Sequence, residues 1–142
     1  MGLYFSVVYP AMLVLSGALF VVGAASLAFI RLHPVLKGLV TVTWIAVALH
    51  FAAVVVVLVG GSTAGIVITV GYLLASIALL PILGIGRLGE PPAPGEKVDP
   101  DRPVLRADQI ARVDAIAAMI VSIALAVVAW RIEVILVAGA PA

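Results

Sequence analysis

Between Lys37 and Arg87 the chain runs 49 residues without a formal charge, and His50 and Tyr72 are the only titratable side chains in that interval. At about 1.5 Å of rise per helical residue, such a run is roughly twice what a bilayer core of about 30 Å requires. It must cross, turn and cross back. Gly60-Gly61-Ser62-Thr63 supplies the turn, because the cluster breaks helices and is polar enough for an interface. Apolar stretches on either side extend the pattern to four predicted spans, over residues 3–30, 38–59, 64–85 and 113–131. The first carries Pro10 near its start and ends at Arg31-Leu32-His33-Pro34, and Pro81 lies near the exit of the third. The 18 residues between Arg112 and Arg131 cover about 27 Å as helix, with Trp130 where an aromatic belt is expected. A more polar helical turn, Arg106 to Arg112, leads into that span.

The pattern predicts an all-α integral membrane four-helix bundle, a single transmembrane domain over residues 1–142. Composition agrees: 65% of residues are hydrophobic and 11% charged, against roughly 25% charged in soluble domains. A formal net charge of +1 gives no support to nucleic-acid binding. The absence of cysteine removes thiolate metal sites and thiol nucleophiles. No positively charged n-region precedes the first apolar stretch, which is therefore expected to remain in the mature protein.

Seven of the eight Lys and Arg residues fall in the first and third connections, Arg31 and Lys37 in one and Arg87, Lys97, Arg102, Arg106 and Arg112 in the other. The positive-inside rule puts those connections in the cytoplasm and both termini outside, an N-out/C-out arrangement. Arg131, two residues from Glu133, opposes it. Residues 86–105 carry five prolines among charges of both signs and read as an exposed, semi-extended cytoplasmic loop.

Within lipid, helices associate through close approach at small residues. The last span presents Ala111, Ala115, Ala118, Ser122, Ala126 and Ala129 as one stripe; the third offers Gly61 and Gly65, then Gly71 and Ala75; the first contributes Gly17, Ala24 and Ala28. These faces are expected to pack the bundle internally ahead of any partner.

His50 lies about 13 residues beyond Lys37, roughly 20 Å along the helix, and a deep imidazole is costly unless neutral and paired. Its helical neighbours Thr43, Ala46 and Ala53 are small or polar, which turns this face inward. The plainest reading is a neutral His50 hydrogen-bonded to Tyr72, Thr69 or a backbone carbonyl. A proton-relay or ligand role, joined by Asp114 in a polar path, is the sharper alternative. Axial ligation of a haem or pigment by His50 is the weakest, since a second deep His is lacking. Asp108, Arg112 and Asp114 read as interfacial anchors, with Asp108 and Arg112 spaced for an ion pair. His33 is too isolated for a metal site. No catalytic set, metal site or phosphate loop can be assembled, so neither enzyme activity nor a resident cofactor is expected.

The stretch Val70-Gly71-Tyr72-Leu73-Leu74-Ala75-Ser76-Ile77-Ala78-Leu79-Leu80-Pro81 and the later Val127-Val128-Ala129-Trp130-Arg131-Ile132 resemble uncharacterised small four-span integral membrane proteins of actinobacteria. The likeness covers the last two spans, and the chain departs from it in its long Pro-rich loop. It implies the fold and a bacterial cytoplasmic membrane, and carries no activity or binding residues. The expected role is a small accessory subunit that packs on other membrane-protein subunits or on itself, with membrane lipid around it. The alternative class is a homo-oligomeric channel or proton-coupled transporter using His50.

Overall fold

A computed structural model describes residues 2–97 and 99–139. The chain forms α1 (Tyr9–Ala28), α2 (His33–Val59), α3 (Ile66–Leu79) and α4 (Ala107–Ala138), with no strand among the described residues. A π-helical turn, Tyr4–Val8, leads into α1, and a 3₁₀ turn, Ile30–Leu32, joins α1 to α2. Counting these turns, four helical segments are long and apolar enough to cross a membrane.

Local chemistry moves several boundaries from those the hydrophobic pattern predicts. Pro34 sits in the first turn of α2, where a missing N–H costs nothing, so the helix begins at His33 and takes in Lys37. The α-helical part of the third span ends at Leu79, because Pro81 has no N–H to return to the preceding turn. Its 14 residues make only about 21 Å, and the 3₁₀ turns Leu80–Ile82 and Ile85–Gly89 complete the crossing. Residues 86–89, expected in the loop, are therefore part of the bundle, with Gly86 and Gly89 buried. At the start of α4, Gln109 Oε1 accepts the Arg106 N–H at 3.0 Å, and the helical turn expected from Arg106 to Arg112 runs without a break into the span predicted from 113. It continues through Arg131 and Glu133 to Ala138, and its 32 residues, about 48 Å, exceed a bilayer core.

α4 is the central element and α1 its closest partner. A Cβ on Gly23 would lie 3.1 Å from the Ala115 carbonyl oxygen and 3.2 Å from Met119 Cγ, so these two backbones approach as closely as side chains permit. Ser16, Gly23 and Ser26 are buried on the α1 side, and Ala111, Ala115, Ala118, Ser122 and Ala129 on the α4 side. The buried hydroxyls do not bridge helices. Those of Ser26, Thr43, Thr69, Ser76 and Ser122 each donate to a carbonyl three or four residues earlier in the same segment. They satisfy themselves locally and act as small residues.

The expected turn forms at Gly60-Gly61, with Gly61 at φ +95°. Thr63 donates both its N–H and its hydroxyl to the Gly139 carbonyl, at 3.2 and 2.9 Å, tying this turn to the end of α4. At the opposite end, Leu105 N–H donates to the Gly89 carbonyl at 2.8 Å, which closes the base of the Pro-rich loop. One end of the bundle thus holds the loop and the Arg31 turn, and the other holds the Gly60 turn and the end of α4.

Candidate functional site

Two buried polar centres lie toward opposite ends of the bundle. At the loop end stands Asp114, only 4% exposed. Its Oδ2 is 2.9 Å from His33 Nε2, and its Oδ1 accepts the Gly86 N–H at 2.8 Å. A Cβ at position 86 would fall 2.6 Å from that Oδ1 and 2.9 Å from Ile110 Cγ2, so glycine is the residue that lets the carboxylate reach the backbone. One side chain thereby joins the first residue of α2, the turn that follows α3, and α4. Asp114, expected as an interfacial anchor, is thus buried within the bundle at its loop end, and the ion pair expected between Asp108 and Arg112 is not made: Asp108 pairs with Arg106 at 3.3 Å. Arg106 is the N-cap residue with extended backbone, outside the helical spacing rule, and its side chain reaches Asp108 two residues on.

His33, which the sequence leaves isolated, is thus the partner of the buried Asp114. The two lie 81 residues apart, beyond the reach of any spacing rule. The one local hint was Gly84-Ile85-Gly86, a glycine pair after a proline-terminated helix.

In the other half, His50 is 1% exposed and Tyr4 2%. Their rings are in contact, with centroids 5.6 Å apart. Neither ring nitrogen of His50, nor the Tyr4 hydroxyl, has a hydrogen-bond partner among the described residues. The expected bond from His50 to Tyr72, Thr69 or a carbonyl is not made. The Thr69 hydroxyl donates to Gly65 O, and the Tyr72 hydroxyl accepts from Arg131 Nε at 3.3 Å. Thr43 is buried on the same face, so the inward orientation of His50 holds. Tyr4, which the sequence did not single out, belongs to the π-helical turn, an irregularity found often at functional sites.

His50 and Asp114, the expected polar path, are not brought together. Asp114 touches the first residue of α2, and His50 follows 17 residues later, about 25 Å along that helix.

The small-residue faces divide the same way. On α4, all the named positions are buried except Ala126, which is half-buried. On the α3 side, Gly61, Gly65, Gly71 and Ala75 are exposed. Gly61 and Gly65 lie in the turn and at the N-cap, so this GxxxG has no helix to stripe. On α1, Gly17 and Ala28 are exposed, and Gly23 makes the close approach in their place.

Fold and polar centres together define a multi-pass helical bundle of membrane-spanning dimensions with an interior carboxylate pin at one end. No family model, curated protein or solved structure matches the chain.

Proposed function

We propose that this chain is a small accessory subunit of a bacterial cytoplasmic-membrane complex, docking on a larger partner through the outward face of α3. The observation that carries the reading is Gly71. It is helical and exposed, and a Cβ placed on it would meet nothing within 4 Å. A helix-interior glycine costs about 0.5–1 kcal/mol relative to alanine, and the packing of this bundle does not use the missing side chain. Ala75 and Ala78 continue the strip at spacings of four and three, both exposed. Gly17 on α1 is also open, but its neighbours one turn away, Leu13, Val14, Phe20 and Val21, are exposed and large. Val67, Ile68 and Leu74 are large and exposed around Gly71 as well, and Gly38 on α2 is equally open. On α3, however, the small positions run on through Ala75 and Ala78 over two turns, which favours close approach to another helix there.

Orientation follows from charge. Both basic connections gather at the loop end, which favours a cytoplasmic loop and external termini. A cysteine at Lys97 should then react with a membrane-impermeant maleimide only after the cells are opened. For the function itself, the test is gentle detergent extraction from the native membrane, with mass spectrometry of co-eluting proteins. Larger subunits should co-elute in fixed ratio and be lost in Gly71→Leu; a colourless homo-oligomer with nothing else bound would overturn the reading.

A second reading keeps a specific observation: three buried polar atoms on Tyr4 and His50 lack partners among the described residues, beside a π-helical turn. That favours a proton or ligand role for His50, and flux lost in His50→Ala with assembly intact would select it.

A further inference from the structure

A half-open cavity of about 430 Å³ lies between α2, the turns after α3, and α4. The α3 strip takes no part in it. Its lining is divided by depth. Lys37 and Arg87 stand at the loop end and are exposed, whereas Val40, Trp44 and Leu83 give it apolar walls. Trp44 lies seven residues beyond Lys37 on α2, about 10 Å farther into the bundle. With the loop end at the membrane surface, the cations would sit at headgroup level and the apolar walls at the level of the upper hydrocarbon.

Asp114 reaches the wall, but both its oxygens are engaged, by Gly86 and His33. Lys37 is shared with Glu90 at 3.4 Å on the exposed side. Arg87 donates Nε–H to the Gly84 carbonyl at 3.2 Å, which orients the guanidinium while leaving its outer edge for a ligand. A molecule matching this lining needs an anion at one end and a hydrocarbon chain at the other. A free anion would leave the apolar walls uncovered. Asp114 and Glu90 offset part of the positive charge, but Arg87 has no carboxylate partner among the described residues and favours a headgroup of net negative charge over one whose ammonium offsets the phosphate.

We infer that this cavity binds an anionic phospholipid, its phosphate held by Arg87 and Lys37 and an acyl chain laid along Val40 and Trp44. The chain has two tryptophans, so Trp130→Phe leaves Trp44 as the sole reporter inside the cavity. The full-length protein is reconstituted in vesicles containing phosphatidylglycerol or phosphatidylcholine with brominated chains, and quenching is followed against mole fraction. Because Lys37 is shared with Glu90, the preference expected is that of about one membrane-surface cation, on the order of fivefold for the anionic lipid. Lys37→Gln with Arg87→Gln should bring the two lipids to parity, while Lys97→Gln, which removes a loop charge outside the cavity, should keep the preference. Equal quenching by the two lipids in the parent would overturn the inference, and that comparison stands even if the double variant does not fold. Preference surviving in the double variant would overturn it too. So would its abolition by millimolar inorganic phosphate, which would make this a site for a soluble anion.

Discussion

Helices α3 and α4 carry similar small-residue patterns and use them in opposite ways. On α4 the stripe from Ala111 to Ala129 is turned inward and lies against the Gly23 face of α1. On α3 the strip Gly71, Ala75 and Ala78 is turned outward, with open space where Gly71 would carry a Cβ. Small residues at helical spacing permit close approach but do not say to what. In α4 the approach is consumed by the fold, and in α3 it remains available. The polar centres make a parallel contrast: both oxygens of the Asp114 pin are bonded, and the Tyr4–His50 pair has no hydrogen-bond partner among the described residues.

Enlarging the inward face should produce the greatest damage. Gly23→Leu would drive four carbons into the Ala115 carbonyl and Met119, and overpacking of this kind costs about 1–3 kcal/mol or more. A large drop in thermal unfolding temperature in detergent is expected, and an unchanged one would deny that α1 and α4 form the tight pair. Asp114→Ala comes next, since it strands the buried Gly86 N–H and the His33 ring. The loss should be about 1–3 kcal/mol, with Asp114→Asn milder because its amide oxygen still accepts from Gly86. Equal losses in the two variants would argue against the Gly86 bond as the source.

His50→Leu should be nearly neutral or slightly stabilising, because it replaces a buried ring without hydrogen-bond partners among the described residues by an apolar side chain. A loss comparable to that of Asp114→Ala would show that His50 is bonded in the membrane after all. Smallest is Ala75→Leu, expected to change the stability of the isolated protein by less than about 0.5 kcal/mol, since the position faces outward. Its effect should appear in association alone.

The four-span plan was legible because the charge-free run and the Gly60-Gly61 turn follow directly from bilayer thickness. Helix ends were less so: whether Pro34 begins a helix or Pro81 ends one depends on which backbone groups are free, and this is decided locally and not by hydropathy. The depth and inward face of His50 were readable from its neighbours on α2. Its contact with Tyr4 and the His33–Asp114 pair were not, because they join residues 46 and 81 positions apart through packing that no period in the sequence encodes. Which small stripe faces inward was equally hidden, since all the helices are apolar on every side.

The chain has no cysteine, so a single one introduced at Ala75 gives an unambiguous crosslinking site in the native membrane. Val14, exposed on the lipid side of α1, serves as the control position. The docking face proposed for α3 predicts one discrete adduct with a larger membrane protein from Ala75→Cys and none from Val14→Cys. Equal adducts from both positions, none from either, or a product of twice the mass of this chain would contradict it.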